Sequence, residues 1–178
     1  MTAFALDDDS HYKDLYELRL LHTAFHKAVS HAGTDAATKT QHLADLLALW
    51  TDDGTLIVKD VTYSGKGVPG TASCAAGSKT LCDWYANVTG SFVLGHDWVS
   101  LTPIFTEAIT VLDSHNADIY FECIYFDAAH NDARVGNITF GLPGMPGTSR
   151  AKKVQGHWLF SYAKLGMNGP ASAYGRGR

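Results

Sequence analysis

Two histidines four residues apart, His22 and His26, have the type and spacing in this chain that most directly suggest chemistry. Between Asp14 and Val29 the apolar residues Leu15, Leu18, Leu21, Phe25 and Val29 recur at steps of three and four. That period describes one face of a helix. On it His22 falls inside the apolar stripe and His26 at its edge, so both can face the interior. An imidazole titrates near neutrality and can take or give a proton. The same placement fits hydrogen-bonded histidines of a core or its boundary. The spacing also fits two ligands of one metal ion, yet no Glu follows His22 as in zinc proteases and no third ligand is evident. No metal and no cofactor is therefore expected.

Aromatic residues form the second set. After a turn at Gln155-Gly156, strict alternation puts Trp158, Phe160 and Tyr162 on one strand face and His157, Leu159 and Ser161 on the other. If the aromatic face is concave it lines a pocket, and the Tyr162 phenol there can polarise a carbonyl or donate a proton. Plain core filling is the competing reading. Along 117–127 the small Ala117 opens an inward set of Ile119, Phe121, Cys123 and Tyr125. Tyr120, Glu122 and Phe126 then face outward, which makes Glu122 an interface residue rather than a base. Trp50, Tyr63, Trp84, Tyr85 and His96 complete the candidate substrate-binding residues. Asp52 and Asp53 sit at a helix-to-strand junction, where carboxylates commonly accept from backbone N–H groups.

The elements that must position these residues follow from periodicity and breakers. Helix one covers 14–29. Gly33-Thr34-Asp35 breaks it and offers an N-cap, after which Leu43, Leu46, Leu47 and Trp50 mark a second helix ending near Thr51. Asp52-Asp53-Gly54 reads as a turn and 55–59 as a strand. Tyr63 to Gly70 reads as a short strand and a loop, and Ser78 as the cap of a third helix with Leu81, Tyr85, Val88 and Phe92 on its apolar face. Residues 99–112, 117–127, 135–140 and 151–165 read as long antiparallel strands, with a loop over 141–147. Helices first and strands last predict an α+β fold, three helices packed on a strongly curved antiparallel or mixed sheet. The expected division is a flexible N-terminus over 1–11, one domain over 12–166 and a flexible tail over 167–178.

Composition narrows the function classes. With 178 residues, 46% of them hydrophobic, the chain can build one substantial core. A formal charge of −4 and a pI near 6.1 supply no electropositive footprint for nucleic acid. No run of about 18 apolar residues suggests a membrane span, and the N-terminus lacks a signal-peptide pattern, so a cytoplasmic protein is expected. Cys74, Cys82 and Cys123 make an odd count with no metal-type spacing. Reduced thiols are expected, with Cys74 and Cys82 able to bridge locally if the protein meets an oxidising compartment. Phosphate loops, dinucleotide glycine fingerprints and Gly-x-Ser-x-Gly elbows are absent from the sequence.

Leu49-Trp-Thr-Asp-Asp-Gly-Thr-Leu-Ile57, Tyr63-Ser-Gly-Lys66 and Val154-Gln-Gly-His-Trp-Leu-Phe160, in this order of elements, resemble the nuclear transport factor 2-like superfamily, nearest to its SnoaL-like (polyketide cyclase) branch. The resemblance covers roughly residues 12–166. It implies a conical α+β barrel with an apolar cavity and a homodimer through the outer sheet face. Members include cofactor-free isomerases, dehydratases, cyclases and epoxide hydrolases, as well as proteins that only bind partners. Several of these enzymes pair an acid at the end of helix one with a histidine early in the third strand. Here the first position falls on Ser30 and the second near Pro103, with His96 several residues too early, so the dyad is missing from its usual places. The resulting expectation is a cofactor-free enzyme acting on a small, largely apolar molecule by proton transfer, as isomerase, cyclase or dehydratase. His26 or His22 would be the base and Tyr162 the hydrogen-bond donor. The alternative is a non-catalytic small-molecule-binding or protein-assembly domain of the same fold.

Overall fold

The computed structural model describes residues 8–29, 31–32, 36–58, 61–88, 98–101, 104–123, 126–129, 138–140 and 145–165. Helix α1 runs Asp8–Val29 and starts six residues before the apolar stripe, with acidic residues in the first turn, where the helix dipole favours them. Its inner face buries Leu18, Leu21, Ala28, Asp14, His22 and His26. Helix α2, Ala36–Ala48, buries Leu46 and Leu47. It stops short of the expected end near Thr51, because Trp50 already belongs to a strand.

A two-residue strand β1, His31–Ala32, lies between the helices, and β2 spans Trp50–Val58. The expected turn at Asp52-Asp53-Gly54 is a bulge inside β2: Trp50 pairs with Phe160, while the next pair is Thr55 with Tyr162. Gly54 is required there by close approach. A Cβ would lie 2.9 Å from Trp50 Cε3 and 3.2 Å from Leu81 Cδ1. Asp52 reaches Lys66 Nζ at 3.1 Å, and the Asp53 carboxylate accepts from its own backbone N–H.

Strand β3, Val61–Ser64, leads into a strap that includes a 3-10 turn at Ala72–Cys74, the short helix α3 at Leu81–Asp83 and a π turn at Trp84–Val88. The cap of α3 is Thr80, whose hydroxyl accepts from Asp83 N, in place of the expected Ser78. Buried Asp83 ties the strap by accepting from Gly77 N, Lys79 N and Asn87 Nδ2. Cys74 and Cys82 form a disulfide with Cα atoms 5.0 Å apart, which corrects the expectation of reduced thiols at these two positions. Phe92 lies outside the described residues.

The remaining strands are β4 Trp98–Leu101, β5 Ile104–Val111, β6 Asn116–Cys123, β7 Phe126–Ala129, β8 Ile138–Phe140, β9 Met145–Val154 and β10 His157–Leu165. Two expected strands are thus each described as two shorter ones, and β9 takes in Met145–Gly147 from the expected loop. Six strands form a mixed sheet in the order β3-β2-β10-β9-β6-β5, with β10 and β2 parallel and the other pairs antiparallel. A smaller sheet has the order β1-β4-β7-β8. The β9–β10 turn has positive φ at Gln155 and Gly156, the left-handed pair that two-residue hairpins require. The core lies between the helices and the inner face of the large sheet, which contributes Leu56, Ala117, Ile119, Phe121, Ala151, Trp158, Phe160 and Ala163. Among the described residues three helices pack on a six-stranded mixed sheet, an α+β arrangement. Among the described residues no helix is long and apolar enough to cross a membrane.

Candidate active site

Helix α1 and strand β5 bring together a chain of polar side chains inside this apolar layer. His22 is 0% exposed and His26 7%. Four residues of helix stack the rings on one face, their Nε2 atoms 3.1 Å apart. The His22 Nδ1 hydrogen-bonds Glu107 Oε1 of β5, and Arg19 Nε lies 3.7 Å from the other carboxylate oxygen. Phe121 of β6 packs on both imidazoles, its ring centroid 4.8 Å from that of His22 and 5.6 Å from that of His26. Burial, the largest influence on His22, pushes its pKa down, while the hydrogen bond and charge of Glu107 push it up; the net direction is down. His22 is therefore a neutral imidazole at neutral pH, ready to accept a proton.

Beside this chain is an apolar cavity of about 20 Å³, enough for roughly one water. Its walls are Phe25, Trp50, Leu56, Trp84, Tyr85, Phe121, Phe160 and Ala163, with Ser149 as a polar member. Trp50 Nε1 donates to Tyr85 Oη at 3.0 Å. Burial raises the Tyr85 pKa, so the group stays a neutral phenol. Of the expected substrate-binding residues, Trp50, Trp84, Tyr85, Phe121 and Phe160 meet around this cavity. Tyr63 is buried, its ring tilted against that of Trp84 with centroids 5.1 Å apart. Trp158 is buried elsewhere and donates to Asp14 Oδ1 at 3.0 Å, with Lys153 completing an ion pair to the same carboxylate. The Cys123 backbone lies in β6, and His96 and Tyr125 fall outside the described residues.

Tyr162 is the clear departure. The pairing of β10 shifts between Phe160 and Tyr162: Phe160 faces Ala151, and Tyr162 faces Arg150. Ser161 is thus the extra residue of a β-bulge, which reverses the alternation after it. Tyr162 joins exposed Arg150 on the outer sheet face while Ala163 turns inward. There Tyr162 lines an open groove of about 490 Å³ with Asp118, Tyr120, Thr148 and Arg150. Tyr162 cannot serve the interior as the donor expected from alternation.

Glu107 is the residue that sequence reasoning passed over. The resemblance implied an acid on helix one and a histidine on the strand, near Pro103. The described structure holds an acid–imidazole pair with the two places exchanged: the imidazole on α1 and the carboxylate on β5, four residues beyond Pro103. The signal available was a single carboxylate in a strand otherwise rich in Ile, Thr and Val.

No family model matches the chain, and no curated protein matches it. Solved structures do. A single-residue variant of Rv3472, a protein of unknown function from Mycobacterium tuberculosis, aligns with a TM-score of 0.65 at 12% identity, over 97% of this chain and 82% of that one. A hexachlorocyclohexane dehydrochlorinase, LinA-type3 from Novosphingobium barchaimii, aligns with a TM-score of 0.62 at 15% identity, over 92% of both chains. An NTF2-like protein with a cystatin-like fold from Novosphingobium aromaticivorans gives 0.61 at 14% identity, over 95% of this chain and 96% of its own. At these identities the likeness concerns architecture, and on that evidence this chain has the nuclear transport factor 2-like, cystatin-like fold.

Proposed function

We propose that the protein is a cofactor-free enzyme that moves a proton on a small, largely apolar molecule, in the manner of an isomerase, cyclase or dehydratase. The observation that carries this reading is the Glu107–His22–His26 chain, its two imidazoles buried and its carboxylate partly exposed, against an aromatic-walled interior. The buried, neutral His22 imidazole is a competent general base, and the Glu107 carboxylate beside it steadies the imidazolium that forms. Tyr85 takes the place of Tyr162 as the phenol able to hydrogen-bond a developing oxyanion. The dehydrochlorinase among the structural neighbours lends the reading weight as an enzyme of this fold named for elimination from an apolar compound.

A ligand larger than one water requires the aromatic walls to rearrange, since the cavity measures about 20 Å³. That small volume favours a second reading, a non-catalytic binding or assembly domain whose contact surface is the outer groove and whose partner is a second copy of the chain. Deuterium uptake separates the two. In D2O, with a panel of neutral ketones, lactones and cyclic polyketide-like compounds, the first reading expects protein-dependent exchange at one C–H that is lost in His22→Asn and His26→Asn. Binding without exchange for every compound would leave the second reading.

A further inference from the structure

Resting on the proton-transfer reading and deepening it, we infer that Ser149 is the polar anchor of the cavity: its hydroxyl donates to the ligand, which is a neutral, mostly apolar ring compound bearing a carbonyl group. The strand register fixes where this side chain points. Ser149 of β9 stands opposite Ile119 of β6 on one side and Ala163 of β10 on the other. Residues directly opposite across paired strands share a face of the sheet. Ile119 and Ala163 are 1% and 4% exposed, so Ser149, itself 5% exposed, faces the interior with them and joins the cavity wall. Ser149 and Ile119 also border the outer groove, and there they offer backbone alone.

A hydroxyl in this place costs stability unless something uses it. Burying one without a partner forfeits its bonds to water, and an apolar side chain of similar size would fill the same position without that loss. Among the described residues no hydrogen bond engages the Ser149 hydroxyl. Ser161 of β10 shows the ordinary remedy, its hydroxyl donating to the Arg150 carbonyl at 3.2 Å. The polar groups that Trp50 and His22 carry into the same layer are paired as well, with Tyr85 and Glu107. Ser149 thus presents an unspent donor to the cavity, in a wall whose other members are aromatic or aliphatic. No charged side chain is among the described residues of that wall, which suits a neutral ligand rather than an ion. The rings of Trp50 and Phe160, their centroids 5.5 Å apart, offer faces and edges for a ring to pack against. A carbonyl is the acceptor that the proposed chemistry needs, because a hydrogen bond to its oxygen acidifies the adjacent C–H.

The test compares cyclohexanone with methylenecyclohexane, which keeps the ring and puts a methylene carbon in place of the oxygen, by calorimetric titration of the full chain. Wild type is expected to bind the ketone about tenfold tighter, the worth of one buried hydrogen bond, and Ser149→Ala to lose that preference while still binding the hydrocarbon. Infrared difference spectra give a second readout: the C=O stretch of the bound ketone is expected at lower frequency in wild type than in Ser149→Ala or in hydrocarbon solvent. A role confined to packing would change both affinities alike and leave the stretch in place. Equal affinities for the two probes in wild type, or a preference and a stretch that survive in folded Ser149→Ala, would overturn the inference. So would binding of neither probe at millimolar concentration. If the variant does not fold, the two wild-type affinities and the wild-type stretch against hydrocarbon solvent decide the matter. Ketone binding through Ser149 without deuterium exchange would remove the proton-transfer reading and leave the anchor; exchange without any ketone preference would do the reverse.

Discussion

Replacing Phe121 by Ala probes the packing that separates the histidines from the cavity. The ring is buried, lines the cavity and contacts both imidazoles at 4.8 and 5.6 Å between centroids. Losing it forfeits roughly 2 kcal/mol of transfer free energy and leaves roughly 100 Å³ of new space, worth roughly 2.4 kcal/mol at the usual penalty per unit of cavity volume. The sum, about 4 kcal/mol, leaves a domain of ordinary stability folded and lowers Tm by roughly 8 to 16 °C for a chain this size. The enlarged apolar cavity should accept a benzene-sized ligand. At ten times its Kd such a ligand returns about 1.4 kcal/mol. Urea unfolding and thermal scans with and without benzene measure both effects, and the His22 and His26 ring signals should shift on binding. A loss below about 1 kcal/mol with no ligand stabilisation would refute the placement of Phe121 between cavity and histidines.

Acid should destabilise the fold in two stages. His22 has a folded pKa below its unfolded value of 6.5, so the unfolded chain binds the extra proton and stability falls as pH drops from that value through the folded pKa. Asp14 adds a second loss: burial alone would raise its pKa, but the Lys153 and Trp158 hydrogen bonds and nearby lysine charges bring it below 3.8, so its contribution fades as pH falls through the folded value. Tm against pH should lose only its upper limb in His22→Asn; an unchanged upper limb would refute the assignment. Reducing the Cys74–Cys82 disulfide, which closes a short loop, should cost about 2.5 kcal/mol by loop entropy and lower Tm by roughly 5 to 10 °C, read by calorimetry with and without dithiothreitol. Tyr162→Phe, on the outer face, should change stability by less than about 0.5 kcal/mol and leave interior ligand binding unaltered in a titration. A substantial loss of binding would return that phenol to the interior.

The helix-one period told which residues face inward, because an amphipathic face is written directly in its spacing, and it placed His22 and His26 correctly. The inward set Ala117, Ile119 and Phe121 was equally legible from strand alternation. Alternation failed at Tyr162 because a bulge adds one residue without any composition signal of its own, and every side chain beyond it changes face. Glu107 was invisible for a different reason. Its partner His22 is 85 residues away, and no local pattern reports a pairing that only tertiary packing creates. Asp14 was hidden likewise, at the start of a stripe whose apolar members drew the reading, while its partners Lys153 and Trp158 come from the final hairpin. Trp50 was assigned to the wrong element yet to the right place, since it ends the helical stripe and begins β2 without leaving the core.

The most direct measurement of the central claim is a crystal structure of the protein soaked with the neutral carbon acid that gains most deuterium in the exchange screen. The proton-transfer reading predicts ligand density among Phe25, Phe121 and Tyr85, with the exchanging carbon within about 3.5 Å of an imidazole nitrogen. Density confined to the outer groove beside Arg150 and Tyr162, with the interior still closed, would contradict it.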